Sequence, residues 1–213
     1  MHIPDGFLDT KTWASLILVS GAAIGASASK AGRSTDGKRI PLMGVMAAFI
    51  FAVQMLNFPV AGGTSGHFMG TMLSAFLLGP YTTVLVMSSV LIVQCLVFQD
   101  GGLTALGANI FNMSGVGIIA GYGLYAAFSR FLRPGSSAAG KALLFVSAWL
   151  SVVGASLACA LELSFSGTVP AKAVLPAMLA VHALIGLGEG AITVAVAGFI
   201  GKIRPDLLRL ERI

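Results

Sequence analysis

The chain has 213 residues, a length that would form one soluble domain or two. Hydrophobic residues make up 56 % of it and charged residues only 10 %, with a mean hydropathy of +0.92, whereas soluble domains carry about 25 % charged residues. So few charged side chains cannot cover a soluble fold of this size, which indicates an integral membrane protein. The net charge of +5 does not indicate nucleic-acid binding, because the basic residues stand in short gaps between apolar runs.

Seven apolar runs predict an all-α integral membrane protein, a bundle of about seven transmembrane helices. The runs exceed the roughly 10-residue strands of an outer-membrane barrel, and none alternates with a period of two. The predicted spans are residues 12–29, 40–57, 66–79, 81–99, 104–129, 141–165 and 172–203. The chain thus divides into an amino-terminal segment (1–11), a transmembrane domain (12–203) and a tail (204–213).

The distribution of lysine and arginine predicts how the bundle is oriented. With the amino terminus outside, the inner segments hold eleven basic residues and the outer segments hold only Lys11 and Lys172. A break of the last run near residues 186–188 would give eight helices and move four basic residues outside. We therefore expect one long or kinked last helix, the amino terminus outside and the carboxyl terminus in the cytoplasm.

The third span is short, and an irregular segment precedes it. Fourteen residues from Gly66 to Gly79 cover about 21 Å of a roughly 30 Å hydrocarbon core. Residues 57–65 contain Pro59 and a glycine pair and cannot form a regular helix. Irregular backbone at membrane depth has to be buried in protein or line a cavity. We therefore expect a recess in the outer half of the protein, with His67 at the start of the short helix and in the recess wall.

Motifs of known enzymes are weak or missing in this sequence. Residues 135–142 nearly match the phosphate-binding pattern GxxxxGK[ST], but Ala142 replaces the hydroxyl that binds magnesium and no strand precedes the motif. The metalloprotease pattern HExxH does not occur in the sequence. We therefore expect no enzymatic activity and no ATP hydrolysis by this chain.

Two ionisable residues, His182 and Glu189, lie two helical turns apart in the last span. They form an internal pair or hydrogen bond in the simpler interpretation, and a proton relay or substrate contact in the other. Small residues recur at a spacing of four, which permits close helix approach within the bundle or against a partner subunit. These pairs are Gly21/Gly25, Gly66/Gly70, Gly117/Gly121 and Gly186/Gly190.

The amino terminus carries a candidate metal chelate. No secretory signal precedes the first run, so we expect the chain to begin at Met1 with a free α-amine. That amine, the amide nitrogen of His2 and the His2 imidazole can occupy three corners of a plane around one divalent ion. A second imidazole could close the fourth corner, and square-planar nitrogen coordination suits Ni(II) or Cu(II).

Six short motifs are spread along the chain: MHIPDG (1–6), NFPV (57–60), GTSGH (63–67), DGGLTALGAN (100–109), HALIG (182–186) and EG (189–190). Together they resemble the nickel/cobalt substrate-binding membrane subunit of energy-coupling factor (ECF) transporters, the NikM/CbiM family. The resemblance extends from residue 1 to about residue 200.

This resemblance implies a seven-helix S-component that captures Ni(II) or Co(II) from outside through the metal ligands Met1, His2 and His67. It further implies a transmembrane T-component and two cytoplasmic ATPase subunits as partners, with a small accessory membrane subunit as a further possible partner. The expected location is the inner or plasma membrane of a prokaryote. No organic cofactor is expected. Candidates to orient the metal-binding imidazole of His67 are Asp5, Asn57, Thr64 and Ser65.

Two other functions remain open at this level. A self-sufficient channel or secondary metal transporter would use Glu189 and His182 as a proton path, and it requires gating elements or an inverted repeat, which the sequence does not display. A passive metal-sensing receptor would differ only in lacking transport.

Overall fold

The computed structural model describes residues 1–34, 39–61, 64–132 and 137–207 and is mainly helical. A two-stranded antiparallel hairpin, β1 (Phe58–Val60) and β2 (Thr64–Gly66), separates the second helix from the third. Within the described residues the helices are α1 (Thr10–Ser34), α2 (Arg39–Met55), α3 (Thr71–Leu78), α4 (Pro80–Phe98), α5 (Leu106–Ser129), α6 (Ala138–Phe165) and α7 (Ala171–Ile203).

Five of the described helices, α1 and α4 to α7, are long and apolar enough to cross a membrane. The predicted all-α membrane bundle is confirmed at this level. The apolar part of α2, Ile40–Met55, is shorter than a full span.

The third predicted span, residues 66–79, is wrong in its first part. Helix α3 begins only at Thr71, after Gly70, whose φ of +76° is not helical. Eight residues rise about 12 Å, which is too short to cross a roughly 30 Å core. Gly66 instead pairs with Phe58 across the hairpin. The described part of residues 57–65 is not helical, as predicted, but most of it forms the two strands of the hairpin rather than irregular backbone.

The last helix, α7, is continuous over 33 residues with Pro176 inside it, as expected for one long helix. Its glycines let α6 approach closely. An added Cβ at Gly186 would lie 2.8 Å from Trp149, and one at Gly190 would lie 2.8 Å from Phe145. This pair of small residues therefore packs α7 against α6.

Helix α5 widens to π-helical geometry over Phe111–Val116 and Ile118–Tyr122. Widening removes some regular i to i+4 partners from the backbone carbonyls. The carbonyls of Met113 and Gly117 instead accept hydroxyl hydrogen bonds from α3 and α6, of 2.7 and 2.8 Å. The wide turns of α5 thereby tie the short α3 to the long helices.

Residues 1–9, here called the amino-terminal strap, enter the bundle with their first three residues, whereas Asp5 and Gly6 are exposed. Met1 and Ile3 are fully buried. The Ile3 amide donates to Asn109 Oδ1 at 2.8 Å, and the Ile3 carbonyl accepts from Asn109 Nδ2 at 3.2 Å and from the Gly102 amide at 2.8 Å. These bonds satisfy the strap backbone where water cannot reach it.

Two carboxylates fix the rest of the strap. Asp5 accepts from the Leu103 amide at 3.0 Å and from the Thr104 amide and hydroxyl at 2.7 and 2.5 Å. Asp9 accepts from the Ser166 hydroxyl, which follows α6, at 3.0 Å. The strap is therefore anchored at the start of α5 and at the end of α6.

These contacts gather several loops at one end of the bundle. The strap touches residues 65, 102–104 and 166–168, all of which the orientation prediction puts on the outer side. At the other end of the helices, Lys30 Nζ lies 2.8 Å from the Tyr81 hydroxyl, and both residues are predicted on the inner side.

Some predicted features lie outside the described residues. They are the beginning of the phosphate-loop-like segment, residues 62–63 of the glycine pair, the basic positions Lys38, Arg133, Arg209 and Arg212, and residues 208–213 of the tail. From Ser137 onward the phosphate-loop-like segment is the cap and first turn of α6, since Ser137 Oγ accepts from the Gly140 amide at 3.0 Å.

The close approach of the strap to Gly102 gives a first prediction. In Gly102→Ala the added Cβ would lie 2.2 Å from the Asp5 amide nitrogen and 2.6 Å from the Pro4 carbonyl carbon. We expect the strap to detach, with amide hydrogen exchange over residues 2–8 accelerated about tenfold or more, because loss of one buried hydrogen bond already corresponds to about that factor. Exchange mass spectrometry measures this.

Gly123→Ala is the matched control, since nothing lies within 4 Å of a Cβ there. Exchange in α4 to α7 should stay unchanged in both variants. Strap exchange in Gly102→Ala equal to that of the parent chain would contradict the described docking.

Candidate metal centre

The hairpin brings Ser65 and His67 to the buried end of the strap. Strand β2 ends at Gly66, where an added Cβ would lie 2.8 Å from the Phe58 ring, so the ring covers the strand directly. Thr64 Oγ1 lies 2.9 Å from Met178 Sδ on α7. Strand β2 is thus held between strand β1 and the last helix, and His67 follows β2 into the interior.

The α-amine of Met1 is the centre of this region. It donates to the Ser65 carbonyl and to Ser65 Oγ, the latter at 3.0 Å, and its nitrogen lies 2.9 Å from His67 Nε2. Met1 is fully buried, and His67 is only 1 % exposed. The structure therefore brings a chain terminus and an imidazole into direct contact across 66 positions of sequence.

The His67 ring has a defined tautomer in this arrangement. Its Nδ1 lies 2.8 Å from the Phe68 carbonyl oxygen. A carbonyl can only accept, so Nδ1 carries the hydrogen and Nε2 presents a lone pair toward the Met1 amine. Such a fixed second nitrogen is typical of histidines that bind metals.

His2 lies beside both groups. Its backbone amide donates to Ser65 Oγ at 3.2 Å, and its ring stacks on the His67 ring with centroids 4.7 Å apart and planes at 21°. Its Nδ1 lies 3.2 Å from Asp100 Oδ1, and its Nε2 has no hydrogen-bond partner among the described residues. The three predicted site residues Met1, His2 and His67 are therefore brought together.

Burial keeps these nitrogens neutral. Desolvation lowers the pKa of the Met1 α-amine from its ordinary 8.0 to about 5. Desolvation also lowers the pKa of His2, and it lowers the pKa of His67 well below its ordinary 6.5. All three groups are bases, so a lowered pKa favours the uncharged form, which has the lone pair that a metal needs.

The position predicted for His67, at the start of the short helix, is wrong. The residue lies four positions before α3, in the segment that joins the hairpin to this helix. Its neutral state follows from burial.

The four residues predicted as candidates to orient the His67 imidazole bond to groups other than His67. The Phe68 carbonyl holds His67, while Ser65 contacts Met1 and His2. Of the remaining candidates, Asn57 Nδ2 donates to Asp100 Oδ2 at 3.0 Å, whereas Thr64 and Asp5 bond to Met178 and the start of α5.

His182 and Glu189 each bond to backbone rather than to each other. The Glu189 carboxylate accepts from the Met69 amide at 2.8 Å and the Gly70 amide at 2.5 Å. His182 Nδ1 lies 2.8 Å from the Met178 carbonyl of its own helix. Glu189 therefore holds the chain between His67 and α3. This structural role differs from the predicted pairing of Glu189 with His182.

Three residues contribute to this region in ways that the sequence does not indicate. Ser65, predicted as a candidate to orient His67, instead contacts Met1 and His2, and Asp100 and Asn109 lie around the strap. The motif at residues 100–109 was a signal, because it places a carboxylate and an amide in a glycine-rich stretch. Nothing in this motif shows that the side-chain amide of Asn109 would form hydrogen bonds with the backbone of Ile3. In the described part of the chain, no group of three or more His, Cys, Asp or Glu side chains is arranged to hold a metal ion.

Comparison with known proteins shows the family. The family model described as cobalt uptake substrate-specific transmembrane region, CbiM, matches residues 2–207. A relative from Archaeoglobus fulgidus, assigned as a fused nickel transport protein NikMN, is 44 % identical over 98 % of this chain and 68 % of its own. The cobalt transport protein CbiM of Sorangium cellulosum is 37 % identical over 79 % of this chain and 76 % of its own.

A solved structure is also similar. The crystal structure of a truncated transition metal transporter matches with a TM-score of 0.87 at 30 % identity, covering 95 % of this chain and 99 % of that one. The chain therefore belongs to the CbiM/NikM family of nickel and cobalt transport membrane proteins.

Proposed function

We propose that this chain is the substrate-binding subunit of an ECF-type importer in the inner or plasma membrane of a prokaryote. It captures Ni(II), or Co(II), from outside on four nitrogens: the Met1 α-amine, the His2 amide, the His2 imidazole and His67 Nε2. A T-component and two ATPase subunits then drive uptake, and the chain itself catalyses no reaction.

The distance between the Met1 amine and His67 Nε2 carries this proposal. Metal–nitrogen bonds of about 2.0 Å put adjacent corners of a square about 2.8 Å apart. The two nitrogens lie 2.9 Å apart, are buried and are uncharged at neutral pH. They already have the separation of two neighbouring ligands of one ion.

The His2 nitrogens require two small changes to complete the plane. The amide must lose its hydrogen, and Ser65 Oγ beside it can then donate where it previously accepted, since a hydroxyl does both. The His2 Nδ1 atom must turn away from Asp100, and the hydrogen that it presents to that carboxylate must pass to water, with Nε2 taking up a hydrogen to keep the ring neutral. Planar coordination with a deprotonated amide favours Ni(II) over Co(II), and Cu(II) would bind still more tightly, so its exclusion depends on availability.

The orientation prediction completes the proposal by placing the centre outside. The strap and the loops around it cluster at the end of the bundle that has few basic residues. An ion arriving from outside therefore meets the strap end first.

The alternative of a proton-coupled carrier has less support. Both Glu189 oxygens accept backbone hydrogen bonds, so this carboxylate is committed to holding the chain after His67. Metal uptake into reconstituted vesicles that proceeds without ATP or partner subunits would favour the carrier instead.

Extension of the amino terminus tests the chelate directly. One alanine added before Met1 converts the amine into a far less basic peptide amide and adds chain where Met1 is fully buried. We expect Ni(II) binding, measured by isothermal titration on purified protein, to be lost as completely as in His2→Ala or His67→Ala.

The same alanine added after Ile213 is the matched control and should bind Ni(II) normally. A cleavable extension that regenerates Met1 should restore binding on cleavage. Retention of normal affinity by the extended chain would remove Met1 from the site and leave His2 and His67 as the only ligands.

We further propose that the T-component docks on the small-residue face of α1, formed by Gly21, Ala22, Gly25 and Ala26. All four residues are exposed, and nothing lies within 4 Å of a Cβ placed at either glycine. The other three small-residue pairs pack inside the bundle, with neighbours within 3.0 Å of an added Cβ. Of the four small-residue pairs predicted from the sequence, the α1 pair is therefore the one left open for a partner.

Leucine at Gly25 and Ala26 should fill this face and prevent close helix approach. We expect co-purification of the T-component with the double variant to fall at least about tenfold, since lost packing of about 1.4 kcal/mol has that effect. Ni(II) binding by the isolated chain should be nearly unchanged.

Leucine at Ala191 and Ala195, which are exposed on α7, is the control for added bulk in the membrane. If the α1 double variant co-purifies as well as this control does, the partner docks elsewhere.

A further inference from the structure

A cavity of about 710 Å³ opens beside the metal centre at the strap end of the bundle. A divalent ion with six waters needs about 180 Å³, taking about 30 Å³ for each water, so the cavity accommodates a hydrated ion. Among the described residues that line it, two are acidic and none is lysine or arginine. The polar lining includes His2, Asp5, Asn57, Ser65 and Asp100.

The end of α4 places Asp100 in this cavity. The helix ends at Phe98, and Gln99 takes a left-handed conformation with φ of +56°. The Asp100 amide turns back to donate to the Gln94 carbonyl at 3.0 Å. This sharp turn directs the Asp100 side chain toward His2 instead of along the helix axis.

The two acidic residues in the lining differ in what they can still bind. Asp5 accepts three hydrogen bonds from Leu103 and Thr104 and is committed to holding the strap. Among the described residues, the Asp100 carboxylate accepts one hydrogen bond, from Asn57, and lies 3.2 Å from His2 Nδ1; its side chain is 18 % exposed. A carboxylate has about four acceptor positions, so Asp100 keeps capacity for the waters of a hydrated cation.

His2 forms the wall between this cavity and the buried nitrogens. Its side chain is 3 % exposed, one face stacks on His67, and its Nε2 has no hydrogen-bond partner among the described residues. A buried imidazole nitrogen without a hydrogen-bond partner at the cavity wall is a group that an entering ligand can bind.

We propose that Asp100 and this cavity form an entry site that binds a hydrated divalent cation and passes it to His2. The cation binds the Asp100 carboxylate through its water shell and neutralises the charge that holds His2 Nδ1. The imidazole is then free to turn and replace one of the waters, and His67 and the strap nitrogens replace others. This entry site rests on the proposed function, because its product is the nitrogen-bound ion.

The proposal predicts an effect on association rather than on the final complex. With NiCl₂ as the probe and purified full-length protein, Asp100→Asn should bind Ni(II) about tenfold more slowly at low ionic strength, the lower end of electrostatic steering effects. Its dissociation rate should stay nearly unchanged. Added salt should slow Ni(II) association with the parent chain more than with the variant, because salt screens the Asp100 charge that the variant lacks. Stopped-flow fluorescence or absorbance measures both rates.

Two variants serve as controls. Asp206→Asn changes the net charge equally, on an exposed residue near the carboxyl end of α7, and should leave association unchanged. Asp100→Glu keeps the charge and should restore most of the association rate.

A further variant, which adds a negative charge instead of removing one, keeps the test valid if Asp100→Asn does not fold. Leu103→Asp adds a carboxylate to a cavity residue that is 58 % exposed and should accelerate association. Lack of acceleration overturns the entry site.

Association of Asp100→Asn at the parent rate also overturns it. If Asp100→Asn dissociates from Ni(II) faster but associates at the parent rate, the entry site is also overturned, since Asp100 would then only position His2. A parent chain that binds no Ni(II) at all refutes the proposed function itself, and this outcome is seen without any variant.

Discussion

The contact of the Met1 α-amine with Ser65 and His67 is the interaction on which the outer end of the bundle depends. A buried amine without partners would be costly, so the strap can enter the bundle only where acceptors meet it. Ser65 and His67 provide those acceptors. Asn109 and Gly102 satisfy the next backbone groups, and the loops before α3 and α5 are thereby fixed to one another.

The same contact links the candidate metal centre to the longest helix. Glu189 on α7 accepts both backbone amides between His67 and α3, so the chain that carries the imidazole cannot shift without changing these bonds. A short α3 and a widened α5 complete the connection, because the Thr71 hydroxyl bonds to the Met113 carbonyl. The candidate metal centre is therefore connected to α7 through the hydrogen bonds of the chain before α3.

Charge explains why nitrogens suit this position and a carboxylate cluster does not. Burial lowers the pKa values of Met1, His2 and His67, so the empty pocket holds neutral bases at neutral pH and avoids the desolvation cost of buried anions. In the proposed complex a deprotonated amide cancels one of the two charges of the ion. Asp100 remains at the edge of the cavity, where water can still solvate it, and contributes attraction without entering the dry interior.

The sequence by itself determined the class of the protein, the continuous last helix and the identity of Met1, His2 and His67 as candidates, because hydropathy, charge bias and motif chemistry are local properties of the chain. Seven helices are present in the described residues, but only five of them are long enough to cross a membrane. The third helix was placed wrongly, since it starts only at Thr71, after Met69 and Gly70, whose amides donate to the Glu189 carboxylate. The partner of His67, the central place of Ser65 and the approach of Asp100 to His2 were decided only by the tertiary structure. Each of these contacts depends on how the helices pack and how the loops turn between them. Neither composition nor periodicity encodes which polar groups are thereby brought within bonding distance.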